Sequence, residues 1–176
     1  MAVALEALRA AWPRTAAQRR ARALLECQVE ALAGRAVAAL DEREIDWGRT
    51  AALTLAWGEQ VPYEQAAIAI ANAGDRRERL AIDDARAALV AGELAPMRQE
   101  RFDQERDVVA ALGVADGYVA TTTTLSGIDL RGLAVEAAQF LRETEALWEA
   151  LFDEFVVRGG GIPAGSATRA DALYLL

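Results

Sequence analysis

The chain has 176 residues, 53% of them hydrophobic and 26% charged, a size and balance that fit one folded domain with a real core and exclude a wholly disordered chain. Nineteen Lys and Arg against 27 Asp and Glu give a formal charge of -8, which repels nucleic acid at long range and supplies no phosphate-binding footprint. There is no histidine and one cysteine, so HExxH zinc chemistry, His-based triads, intrachain disulfides and thiolate metal cages are all excluded.

The opening MAVALEALRAAWPR carries Glu6 in its apolar run and has no basic stretch ahead of it, unlike a secretory signal. No apolar run is long enough to span a bilayer. Cytoplasm is the expected location, with neither membrane nor nucleic acid as partner. After Trp12 and Pro13, the Thr15 to Gln18 spacing of a capping box predicts a helix start. Ala21, Leu24, Leu25, Gln28, Leu32, Ala36 and Leu40 then recur three or four apart and predict the buried face. Cys27 lies beside that face and is expected to be a buried, inert thiol.

Between Asp41 and Tyr63 the helical period fades. Leu53, Leu55 and Trp57 alternate with Thr54 and Ala56, which predicts a small hairpin near 53–63, with a continued helix as the alternative. Pro62 sets a boundary, because the residue before a proline avoids helical geometry. From Asp75 to Leu112 the apolar positions Leu80, Ala87, Val90, Leu94, Met97, Val108 and Leu112 predict a long helix. Asp75 caps it, Glu78 supplies the acidic third position, and Pro96 bends or divides it near Ala95.

Gly113, Asp116 and Gly117 predict a turn, and the β-branched run Thr121 to Thr124 a connector. Asp129 caps a second long helix with the face Leu130, Leu133, Ala134, Ala137, Phe140, Leu141, Leu147, Trp148, Leu151, Phe152 and Phe155, expected to pack in the main core. Gly159 is the expected helix stop, and Thr168 to Leu176 begin a short last helix. Together these elements predict an all-α fold, an antiparallel bundle of long helices in a single domain over 1–176, with the small hairpin as its only sheet.

Few residues offer chemistry. Glu93, Glu100, Glu136 and Glu143 fall in pairs seven apart on helix sides, as solvated acids commonly do, and a ferritin-like site would add Glu-x-x-His. The run from Gly160 to Ser166 lacks the lysine and the preceding strand of a phosphate loop. Ser126, Ser166 and Thr121 to Thr124 have no base beside them. The arginine groups Arg19, Arg20, Arg22 and Arg76, Arg77, Arg79 read as solvated helix faces laced with acids. No cofactor and no metal is expected.

Two stretches carry a family resemblance. VPYEQAAIAIANAGDRRERLAIDDARAAL resembles the segment of helical zinc peptidases of the M3 and M2 type that runs approximately iPYR-x-L, lANepDR-x-R, aR. LGVADGYVATTTTLSGIDLRGLAVEAAQFLRETEALWEALFDE is similar to their LGY, GIDL, FL-x-x-Te region, and ATRADALYLL continues the likeness, so it covers most of the chain from about Leu24. The chain thus resembles the N-terminal helical region of gluzincin-like, oligoendopeptidase-like metallopeptidases.

The resemblance implies a noncatalytic scaffold forming one wall of a substrate channel, with a catalytic half following a position like Leu176. In the family the zinc ligands are the two histidines of HExxH and a later glutamate, and none can be assigned here. Glu64 stands at the usual Arg, Ala73 and Gly74 at the usual acidic residue and Pro, and Trp148 at the usual Tyr. The expected function is a helical scaffold or peptide- or protein-binding module. The alternatives are a subunit active only with a separate HExxH-bearing half, and a carboxylate-metal enzyme. The candidate peptide or partner surface is Tyr63, Asn72, Asp75, Arg76, Tyr174, Leu175 and Leu176, and the candidate partners are a second copy, a C-terminal peptidase-like chain or a peptide.

Overall fold

The computed structural model describes residues 15–112 and 117–175. Its elements in order are α1 (Ala16–Thr50), β1 (Ala52–Thr54), β2 (Gln60–Pro62), a 3-10 turn (Tyr63–Gln65), α2 (Ala66–Asn72), α3 (Arg76–Leu89), a π turn (Val90–Leu94), α4 (Ala95–Ala110), α5 (Gly117–Ser126), α6 (Leu130–Gly160) and α7 (Arg169–Leu175). The fold is an all-α helical bundle with one small antiparallel hairpin, as the periodicities predict. Trp12, Pro13, Gly113, Asp116 and Leu176, named above, lie outside the described residues.

The start signals act as their chemistry requires. The Thr15 amide donates to Gln18 Oε1 at 3.0 Å while the Gln18 amide donates to Thr15 Oγ1 at 3.2 Å, a reciprocal capping box. The Arg77 amide donates to Asp75 Oδ1 at the head of α3, and the Gly132 amide to Asp129 Oδ1 at the head of α6. Before Pro96 the Ala95 amide reaches back five residues to Val90, so the predicted division takes the form of a π turn that absorbs the missing proline donor.

The hairpin pairs Ala52 with Pro62, Leu53 with Val61 and Thr54 with Gln60. Gly58 turns it at a φ of 88°, its amide donating to Leu55 O while the Leu55 amide donates to Glu59 O, the arrangement of a three-residue loop closed by a glycine bulge. Helix α1 runs through Gly48 to Thr50 before the chain enters β1.

Chain contacts divide the molecule into two compact units, Met1–Glu42 with Arg98–Gln139 and Arg43–Met97 with Phe140–Leu176. In the first, Val29 of α1, Val109 of α4 and Leu125 of α5 form the core, flanked by Leu25, Leu112 and Tyr118. Arg101 pairs with Asp41 and Glu105, and Tyr118 donates to Glu105 at 3.1 Å. Burial, with the Glu105 carboxylate beside it, pushes the Tyr118 phenol above its ordinary pKa. In the second, Leu53, Leu55 and Val61 of the hairpin pack with Ala66, Ile70 and Ala73, with Ile82 of α3 and with Ala170 of α7.

Four expectations are corrected. The buried line of α1 is Val29, Ala33, Val37 and Leu40, so the helix is turned by about one residue from the predicted face, and Leu24 and Cys27 are exposed. Thr121 to Thr124 lie in a helix: Thr121 donates to Gly117 O and Ser126 to Thr122 O, so these hydroxyls find partners without leaving the helix, and burial of Thr121 and Leu125 outweighs propensity. The stripe on α6 does not form the core: Leu133, Phe140, Leu147, Trp148, Leu151 and Phe155 are all exposed, and Val156 is the buried residue of that helix.

The α6 stop falls two residues beyond Gly159. Gly161 takes φ 63° and its amide donates to Val157 O at 3.1 Å, an αL cap. A Cβ on Gly161 would meet nothing within 4 Å, so Gly161→Ala is expected to cost only the left-handed backbone term, about 1 to 2 kcal/mol. A urea melt checks this, and an unchanged midpoint would mean that the turn relaxes to another geometry.

Candidate functional site

The sequence-predicted surface residues separate into three places within the second unit. Asp75, Arg76, Tyr174 and Leu175 gather where the head of α3 meets α7. The Arg76 guanidinium donates through Nε and Nη2 to the two oxygens of Asp171, at 3.0 and 2.9 Å, and through Nη2 to Ser166 O at 2.7 Å. Arg79, one turn on, is buried; it donates to Ala73 O and Gly74 O, lies 3.7 Å from Asp171 and sits 3.9 Å over the Tyr174 ring. Leu175 reaches back against the glycines ending α6.

Tyr63 lies elsewhere, its ring tilted against Trp47 at 4.7 Å with Arg86 at 5.7 Å. Trp47 in turn donates to Glu93 at 2.7 Å. Asn72 stands alone among the three places, exposed at the end of α2.

The centre of the first place is a residue absent from the predicted set. Asp171 is fully buried, and it accepts from the Thr168 amide and hydroxyl at 2.9 and 3.0 Å as well as from Arg76. Burial alone would raise its pKa, but the hydrogen bonds from Arg76 and Thr168 outweigh that and hold the carboxyl below its ordinary value. The signal was in the sequence: Thr168 and Asp171 have the spacing of a capping box, three residues apart. With every oxygen engaged, this carboxylate joins the C-terminal helix to α3 and offers nothing to a substrate.

The other feature is apolar. On α6, Phe140, Leu141, Leu147, Trp148 and Leu151 line an open groove of about 710 Å³ together with Arg142, Thr144 and Glu145. Phe140, Leu141, Leu147 and Trp148 are each more than 60% exposed, a density of apolar surface that a monomer rarely leaves bare without a binding role. Trp148 stacks on Phe152 at 5.3 Å, which fixes its ring along the helix. Sequence reasoning found the stripe and misassigned what it faces.

Among the described residues no three His, Cys, Asp or Glu side chains converge into a metal-holding group, and no helix is long and apolar enough to cross a membrane. In comparisons with family models, curated proteins and solved structures, nothing matches this chain.

Proposed function

We propose that this protein is a noncatalytic helical scaffold that works by docking protein, with the apolar face of α6 as the docking surface. The observation that carries the reading is the row of large apolar side chains Phe140, Leu141, Leu147, Trp148, Leu151 and Phe155, all at least 45% exposed. Burying such a row is worth about 25 cal/mol per Å², and interfaces are built around clustered aromatic and aliphatic anchors of this kind.

The likeness to the N-terminal region of M3- and M2-type zinc peptidases belongs to this reading as a likeness of scaffold. What supports it is that two of the resembling stretches, GDRRER and TRADALY, meet through Arg76 and Asp171 across 95 residues of sequence. The role there is structural, which fits a relative of that scaffold holding no zinc ligands of its own. A cytoplasmic location belongs to the same reading, and a sequence with one cysteine, which needs no oxidising compartment for an intrachain disulfide, supports it.

A docking face and a core stripe respond differently to truncation. In the single-copy state, Leu147→Ala and Leu151→Ala are expected to change unfolding free energy by no more than about 0.5 kcal/mol, where buried leucines would lose about 2 to 5 kcal/mol. Denaturant melts at a concentration where one copy sediments alone decide this. A loss of several kcal/mol in both variants would return the stripe to the core and end the docking assignment.

A further inference from the structure

We propose that the occupant of the α6 face is a second copy of this chain, docked antiparallel about a twofold axis beside Ala146 and Leu147. The proposal rests on the docking reading above and names its partner. Two properties of the face point to self-pairing.

The first is area. From their exposed fractions, Phe140, Leu141, Leu147, Trp148, Leu151 and Phe155 present on the order of 700 Å² of apolar surface, close to the ~800 Å² that each partner gives to a standard stable interface. A peptide strand or a small ligand would cover a fraction of it. A copy of the same helix face covers all of it, since an isologous contact uses one patch twice.

The second is shape. With the axis beside Ala146, antiparallel helices place Leu141 beside Leu151 of the partner subunit and Trp148 beside Thr144 of the partner subunit, large against small, with Leu147 next to its own copy. Thr144 suits that place: its hydroxyl is already spent on Phe140 O at 2.8 Å, so a tryptophan can cover it without orphaning a donor. A parallel pairing would set Trp148 against Trp148 and Thr144 against Thr144, crowding one layer and hollowing the next.

Sedimentation equilibrium of the whole chain across the micromolar range should give the mass of two chains. Trp148→Ala should weaken the association about 30-fold or more, as loss of a central aromatic anchor does, and Leu147→Glu should give single copies with an unchanged helical CD spectrum. In a Cys27→Ser background, a short bismaleimide should join Leu147→Cys chains into dimers. It should leave Phe155→Cys chains unjoined, since eight residues from the axis put that pair about 25 Å apart.

A parent that stays single at every concentration overturns the second copy as occupant. So does a dimer that survives Leu147→Glu, and equal cross-linking at both cysteine positions overturns the antiparallel register. A single-copy parent whose Leu147→Ala melt is unchanged leaves the docking face standing with another occupant, such as a peptidase-like chain. A single-copy parent strongly destabilised by Leu147→Ala removes both readings.

Discussion

Asp171→Ala is expected to lower unfolding free energy by about 3 kcal/mol, the lower end of what removing one partner of a buried ion pair costs. Asp171 has no exposed side-chain surface, and Arg79 beside it is 5% exposed. Without the carboxylate the Arg79 charge stays buried with the Ala73 and Gly74 carbonyls and the face of the Tyr174 ring as its remaining partners, its Nε already lacking a hydrogen-bond partner. The lower end applies because Arg76 is 37% exposed and can turn to water. Thr168 also loses its capping acceptor, so α7 should fray together with the contact. Loss of helicity from Arg169–Leu175, read by amide exchange, should accompany the shifted melt. A variant as stable as the parent would show that the Arg76 and Asp171 contact is incidental.

The same carboxylate sets a pH dependence whose sign follows from its lowered pKa. In the unfolded chain Asp171 titrates near its ordinary value of 3.8, and in the folded chain below it. Its stabilising contribution is therefore complete above the unfolded value and is lost as pH falls through the folded one. Acid melts below about pH 4 should show a step that Asp171→Asn removes, and a step of equal size in that variant would assign the titration to another carboxylate.

Local signals were legible in the sequence because each is set by neighbouring backbone groups. Thr15 and Gln18, Asp75 and Asp129 cap where their spacing to the next free amides requires, and Pro96 disturbs its helix one turn upstream. The alternation of Leu53 and Leu55 survived as a hairpin, with Gly58 supplying the positive φ that the turn demands. What covers a face is not a local property. The stripe of α6 has the period of a core helix, and period alone does not say whether the covering surface lies in the same chain. On α1 the error was an angular one: an alanine-rich helix presents apolar methyls all round, and Val29, Val37 and Leu40 set the inward direction more firmly than Leu24. Arg79 and Asp171 were missed because charged residues are assigned to the surface unless a partner is known, and theirs is about 90 residues away.

Ile70→Ala is expected to cost about 4 kcal/mol, in the upper half of the range for removing a large aliphatic side chain from a core. Ile70 has no exposed surface and lies with Leu53, Val61, Ala66, Ile82 and Ala170, where the hairpin, α2, α3 and α7 meet. The upper half applies because Ala66, Ala73 and Ala170 around it have no rotamers with which to reach into a vacated space, so the cavity stays open. Ile68, two residues earlier on the same helix, is 62% exposed and provides the internal comparison: Ile68→Ala makes the same chemical change on the same backbone and should stay within about 0.5 kcal/mol of the parent. Helix propensity favours alanine over isoleucine at both positions by a few tenths of a kcal/mol, so it cancels in the comparison. The contrast between the two melts then isolates burial. Equal losses at Ile68 and Ile70 would mean that α2 does not present Ile70 to the hairpin and α7, and the second unit would need another centre.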